Sequence, residues 1–280
     1  STPISRIRCT PSRRSSELIM QHVELKIVDH VATILMDRPQ ACNALDGYLI
    51  AELIQTFSDV HQEKKVESVV ITGKGDHFCS GVDLKAFAEV SEREPMDAQL
   101  RWLEVWRELT DLCESILRFP KPVVAAIDGP AIGAGLALAL ASDLVIMSDS
   151  ATLLANAARR GLIGGLTAPL LSFRFGAAIA ARMLMTGTSI DAPEAYRLGM
   201  CCEVVPSSQI WVTANDWAKR CAAAPHESLQ ATKRILNESI GEALMTHLAT
   251  GAANAATVCN AESATEGIRA FIEKRDPEWP

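Results

Sequence analysis

The sequence predicts an α/β fold on a largely parallel sheet, followed by a region of helices alone, and three observations carry that reading. Residues 66–72 and 123–128 are short segments whose centres, Val69-Val70-Ile71 and residues 123–127, are continuous apolar runs with β-branched residues. Such runs read as strands buried on both faces, hence as a parallel sheet linked by helices. Gly129-Pro130 breaks the second run, and Gly133-Ala134-Gly135 then opens residues 136–141, which are only Leu and Ala. Strong helix formers without a polar face predict a helix buried on all sides. From residue 208 onward only helical spacing remains.

The small residues at the start of that helix leave its free backbone N–H groups uncovered, where the helix dipole adds partial positive charge. That is a place to hold an oxyanion or a carbonyl oxygen. Small residues at that turn also serve plain close packing.

The 280 residues suffice for one large domain, or for one domain with an appended helical part. A net charge of −7 argues against non-specific nucleic-acid binding, so any anionic ligand must be met by local groups. The longest apolar runs fall short of the roughly 20 residues a membrane span needs. Eight cysteines without a C-x-x-C pair, and six histidines without metal-ligand spacing, predict free thiols in a reducing, cytoplasmic setting and no metal.

Taken in order, residues 1–17 carry Arg6, Arg8, Arg13 and Arg14 and no acid before Glu17. Transit peptides, disordered tails and a start set ahead of Met20 share this composition, so residues 1–20 are excluded from the fold. A transit role for residues 1–19 would move the protein to an organellar matrix. Residues 23–28 and 31–36 form a hairpin turning at Asp29-His30. A polar loop marked by Pro39 follows, then a helix from about Asp46, its cap, to His61. After the strand at 66–72, residues 77–85 include the small Cys79 and Ser80 and one glycine, Gly81, so the backbone there can approach a ligand closely. Residues 91–99, charged and containing Pro95, read as a mobile loop. Residues 100–118 read as a helix with Trp102 and Trp106 one turn apart, as core or pocket wall. Past the central helix come a strand at 144–147, a loop or short helix at 151–165, a helix at 176–185, and another capped by Asp191 with Pro193 in its first turn. Residues 201–205 end the sheet. The last helices span about 208–222, 226–239, 242–260 and 262–275, which divides the chain into 1–20, 21–206 and 207–280.

Six stretches in this order carry a family resemblance. They are Arg38-Pro39 with Asn43-Ala44-Leu45; residues 78–85; Lys121-Pro122-Val123 through Asp128-Gly129 to Gly133-Ala134-Gly135 and Asp143; Leu184 with Thr186-Gly187; residues 195–199; and Phe271-Ile272-Glu273-Lys274-Arg275. Together they resemble the crotonase superfamily of enoyl-CoA hydratase/isomerase-like proteins. The resemblance implies a spiral of ββα repeats with a C-terminal helical trimerisation region, as a homotrimer or a dimer of trimers. It implies an acyl-CoA thioester as ligand, with coenzyme A as part of the substrate and no other cofactor. Matched residue by residue, the backbone N–H groups of Val82 and Ala134 form the oxyanion hole. Gln40, Ala41, Asp83, Leu84 and Lys85 line the path of the CoA, and Phe271 and Lys274 meet its nucleotide, in this chain or from a neighbouring subunit.

The same matching sets the family's two glutamates at Ala137 and Ala157, and neither alanine can move a proton. General acid–base catalysis is worth about 10² to 10⁴ in rate, so ordinary hydration is not expected. The family's isomerases generally keep the second glutamate, which disfavours that reaction too. The register is gapless between Gly133 and Asp143, whereas residues 156–160 depart from the family pattern. Asp149, Asn156, Arg159, Arg160, Glu89, Glu92, Glu94 and Asp97 are the candidates for a replacement acid or base, each read first as a solvated surface group. An arginine at the pocket suits an acyl group bearing a carboxylate. Cys79 reads as a packing residue before a nucleophile. The reaction classes left are decarboxylation and thioester hydrolysis, beside a non-catalytic acyl-CoA binder, and ordinary hydration if the register at Ala157 is misread.

Overall fold

The computed structural model describes residues 21–239 and 241–280, so the expectations for the basic N-terminal residues lie outside it. The predicted hairpin is β1 (Val23–Val28) and β2 (Val31–Met36), antiparallel with Val23 opposite Met36. Helix α1 (Gly47–Gln62) starts at Asp46, whose carboxylate accepts the Leu49 N–H at 2.8 Å. β3 (Ser68–Gly73) pairs parallel with β2. Two helices follow, α2 (Leu84–Ser91) and α3 (Pro95–Leu117). The expected loop at 91–99 shrinks to residues 92–94, because Pro95 is the first residue of α3, where a missing N–H is no loss.

β4 (Val123–Ile127) bends at Gly129 into the short β5 (Pro130–Ile132), which leads into the central helix α4 (Ala134–Ala141). The next turn repeats the pattern: β6 (Leu144–Ser148), β7 (Thr152–Leu154), a 3₁₀ turn (Ala157–Arg160), then α5 (Thr167–Phe175) and α6 (Ala177–Thr186). β8 (Ile190–Asp191), α7 (Ala192–Arg197) and β9 (Glu203–Val205) complete the sheets. The larger sheet runs β1-β2-β3-β4-β6-β9, parallel after the hairpin, and the smaller runs β5-β7-β8. A parallel bridge from Cys79 to Ala131 brings the turn after β3 to the edge of the smaller sheet. β3, β4 and β6 thus each pass through a short stretch of the second layer before their helices, which is the expected ββα spiral. The two- and three-residue strands β5, β7 and β8 are too short to show a period, and in the sequence they read as a break and loops.

Helices alone follow: α8 (Ile210–Ala222), α9 (His226–Arg234) running into a π turn (Ile235–Ser239), α10 (Glu242–Val258) and α11 (Glu262–Glu273). α8 sets Ile210, Ala214 and Ala218 on one face of the large sheet, against Val70, Val124 and Ile146. The other face carries the main core, including Trp102, which lies 4.7 Å from Phe87 ring to ring. α4 is buried from Gly135 to Ala141, as its composition predicts. α11 folds back over α2 and the 3₁₀ turn. Among the described residues no helix is long and apolar enough to cross a membrane.

Candidate active site

The turn after β3, the start of α4, the 3₁₀ turn and α11 enclose a cavity of about 580 Å³. Its position follows from local hydrogen bonding. Leu45 donates its N–H to the Gly81 carbonyl at 2.7 Å and accepts the Asp83 N–H at 3.0 Å. In this parallel bridge the Val82 N–H faces away from Leu45. Ala134 is the first residue of α4, so helix geometry gives its N–H no internal acceptor. Among the described residues neither amide has a protein acceptor, and both residues line the cavity.

The two donor segments approach closely because two positions lack a side chain. Gly81 has φ +87°, and a Cβ there would stand 3.2 Å from the Ala134 nitrogen and 2.7 Å from the Ile132 oxygen. A Cβ on Gly135 would collide with the Cys79 carbonyl and side chain. The pair of amides is therefore built from backbone packed on backbone.

A second set of bonds fixes the loop on the other side. Arg38 donates to the Ala44 carbonyl and to Asp83 Oδ2, each at 2.8 Å, and its Nη2 lies 3.1 Å from Asp46 Oδ2. Asp83 Oδ1 caps α2 by accepting the N–H groups of Lys85 and Ala86. Buried Asn43 accepts the Arg38 N–H and donates to the carbonyls of Lys74 and His77. Both carboxylate oxygens of Asp83 are thus committed, and it is the one carboxylate on the cavity wall among the described residues.

The cavity lining takes in Gln40, Ala41, Asp83, Leu84, Lys85 and Phe271 of the residues matched to the CoA path. Phe271 comes from the same chain. Lys274 lies outside the lining and closes α11 in a left-handed conformation. Ala157 lines the cavity; Ala137 is fully buried in α4 and does not. Of the other candidates, Asn156 and Arg160 reach the cavity. Arg159 turns away to the Thr186 carbonyl, and Asp149, Glu89, Glu92, Glu94 and Asp97 are exposed outside it. Cys79 donates to the Asn43 carbonyl, and burial pushes its thiol up to about 12. Trp106 and residues 162–167 complete the wall. Sequence reasoning gave residues 162–167 no role, and the pair Gly164-Gly165 was the one signal there. Among the described residues no group of three or more His, Cys, Asp or Glu could hold a metal ion.

A ββα spiral with a cavity at the N-terminus of its central buried helix defines a crotonase-fold protein. The chain belongs to the enoyl-CoA hydratase/isomerase family, which it matches over residues 26–280. It is 35% identical over 267 residues to carnitinyl-CoA dehydratase from Proteus mirabilis, covering 92% of this chain and 98% of that one. It is 32% identical over 264 residues to (E)-benzylidenesuccinyl-CoA hydratase from Thauera aromatica, again covering 92% and 98%. Among solved structures, an enoyl-CoA hydratase/isomerase from Pseudoalteromonas atlantica superposes with a TM-score of 0.80 at 25% identity, over 93% of this chain and 100% of the other. An enoyl-CoA hydratase from Bacillus anthracis gives 0.73 at 28%, over 92% and 99%. The protein is an enoyl-CoA hydratase/isomerase-like enzyme.

Proposed function

We propose that this enzyme binds an acyl-CoA thioester with its carbonyl oxygen on the Val82 and Ala134 N–H groups and catalyses a reaction other than hydration of a double bond. One observation carries the reading: among the described residues, two amides without a protein acceptor belong to the wall of a cavity whose one carboxylate, Asp83, is engaged by Arg38 and by the start of α2. Preorganised donors of this kind are typically worth about 3 to 4 kcal/mol each in the transition state. With alanine at 157 on the wall and alanine at 137 buried in α4, the described residues of the wall supply no pair of groups to activate water and deliver its proton.

Decarboxylation suits such a site. The C–CO₂ bond breaks, its electron pair passes through the α-carbon onto the thioester oxygen, and the two amides hold the enolate until the α-carbon takes a proton from water. In thioester hydrolysis the same amides would hold the tetrahedral oxyanion formed when water attacks, before CoA thiolate leaves. The backbone of Gln40 and Ala41 and residues Asp83, Leu84 and Lys85 would guide the pantetheine, with Phe271 and Lys274 toward the nucleotide. Relatives that act by name on carnitinyl-CoA and benzylidenesuccinyl-CoA support the CoA thioester as substrate class. Family members generally use no cofactor beyond the CoA of the substrate. We propose further that residues 21–206 form the catalytic unit, that residues 207–280 help join three copies, or six as paired trimers, and that the enzyme works in the cytoplasm or, if residues 1–19 are a transit peptide, in an organellar matrix.

The test is mass spectrometry of crotonyl-, saturated acyl- and malonyl-type CoA thioesters incubated with the enzyme in D₂O. Loss of CO₂ or of CoA, with deuterium at the α-carbon in the first case, supports the reading. Addition of water to crotonyl-CoA would overturn it, and so would recovery of every thioester unchanged.

A further inference from the structure

We infer that Arg160 is a specificity residue that takes a carboxylate on the acyl part of the substrate, so that the preferred ligands are CoA thioesters of dicarboxylic acids. The inference rests on the acyl-CoA reading above and adds the substrate class.

Three features of the structure converge on it. Arg160 lines the cavity, yet no carboxylate of the described residues pairs with its guanidinium, whose close partner is the Phe271 ring at 4.8 Å. Arg38, the other arginine of the wall, is neutralised by Asp46 and Asp83. Arg160 therefore brings an uncompensated positive charge into a pocket that is otherwise largely apolar in composition around residues 162–166. A guanidinium in such surroundings favours a planar, two-oxygen anion that can accept its paired N–H groups.

The guanidinium touches Phe271, the ring matched toward the nucleotide, while the Arg160 backbone lies beside Ala157, and titration of free CoA decides between the two ends of the ligand. Arg160 and Ala157 are three residues apart in a 3₁₀ turn, where side chains three apart eclipse and the rise is roughly 2 Å per residue. Both therefore leave the turn on the same side, with backbones about 6 Å apart. Ala157 is the cavity residue matched to a proton-transfer position, so an arginine on the same side of this turn is within a side chain's length of the carbons that would follow the thioester. The neighbouring Arg159, equal in charge, is held by the Thr186 carbonyl and does not compete for the role.

The turn is also held rigidly. A Cβ on Gly267 of α11 would collide with the Arg160 carbonyl, so α11 lies directly against this backbone while its Phe271 ring supports the guanidinium. A cation fixed before the ligand arrives loses less freedom on binding.

Valeryl-CoA and glutaryl-CoA have the same number of acyl carbons and differ at the far end, methyl against carboxylate. Calorimetric titration of both, and of free CoA, into the wild type, Arg160→Met and Arg160→Lys separates the possibilities. The expected result is a preference of about tenfold or more for glutaryl-CoA in the wild type, lost in Arg160→Met and partly kept in Arg160→Lys. Equal wild-type affinity for the two thioesters would overturn the inference, as would a preference that survives Arg160→Met. A loss of the same size for glutaryl-CoA, valeryl-CoA and free CoA in Arg160→Met would also overturn it, by assigning the guanidinium to the phosphates. Wild-type protein that bound none of the three would instead sink the acyl-CoA reading on which the inference stands. Matching circular dichroism melts show that the variants are folded.

Discussion

Lys233 Nζ lies 2.6 Å from Asp143 Oδ2, and the same carboxylate oxygen accepts the Val123 N–H at 2.8 Å. A single carboxylate thus joins α9 to the start of β4 and to the turn that ends α4. Burial pulls the Lys233 ammonium below its ordinary value, while Asp143 acts in the opposite direction. Removing one member of such a pair leaves the other charge buried without compensation, typically at a cost of about 3 to 5 kcal/mol. Asp143→Asn should therefore lower the urea midpoint sharply. Lys233→Met should cost less, because Arg174 also acts on Asp143 and remains in place.

Arg38 joins three acceptors of two loops, and the carboxylates it faces have side chains only 12% and 15% exposed. Arg38→Met leaves both without their cation and frees the loop that carries Val82. The expected outcome is a loss of stability of about 3 kcal/mol together with weaker acyl-CoA binding. Equilibrium unfolding and ligand titration on the same preparation check both effects.

Ala137 and Ala157 should respond differently to glutamate. Ala137 is fully buried, so Ala137→Glu places a carboxylate where nothing solvates it, at a cost of several kcal/mol. Ala157 is half-buried on the cavity wall, and Ala157→Glu should fold and bring a base to the bound thioester. Exchange of the α-protons of butyryl-CoA in D₂O, followed by NMR, is expected to rise about 10²-fold or more in that variant.

The thiols of Cys79 and Cys113 are both pushed up to about 12 by burial. Either thiolate is therefore scarce at pH 8. Iodoacetamide should label exposed Cys202 in native protein and reach Cys79 and Cys113 only after unfolding, as peptide mass spectrometry would show.

At the C-terminus, Arg275 and the Glu278 N–H hold the Glu266 carboxyl at about 2, well below its ordinary 4.5. A group depressed in the folded state stabilises above the unfolded value and loses that contribution as pH falls from 4.5 toward 2. The segment 275–280 should loosen across that window. Glu266→Gln should loosen it already at pH 7, seen as faster amide exchange and a shift in Trp279 emission.

The larger elements were legible because their burial is written in periods. The alternation in β1, the apolar centre of β3 and the Leu/Ala composition of α4 each follow from how many faces are covered. The caps Asp46 and Asp191 were legible from chemistry at one position. What escaped was set by tertiary packing: β5, β7 and β8 have two or three residues each, α5 went unread, and Pro95 read as a loop although it opens a helix. At the site, motif order sufficed to bring Val82 and Ala134 to one cavity. The clamp role of Arg38 was not legible, because it depends on Asp46 and Asp83 arriving from different directions. Likewise Arg159 and Arg160 are equivalent as letters, and only the geometry of the turn sends one to Thr186 and the other to the cavity.

The amides of Val82 and Ala134 belong to the main chain, so no exchange of side chain at either position, short of proline, can delete a donor. In the proposed reaction the pole that would steady negative charge is thus inherited with the fold itself, whereas groups that move protons would be ordinary side chains, open to loss by single substitutions. On that reading, a lineage built on this frame could give up one chemistry and take on another without passing through a form that no longer grips its ligand. The vulnerable letters are instead the neighbours that carry no chemistry, Gly81 and Gly135, where a single methyl would push the two donors apart.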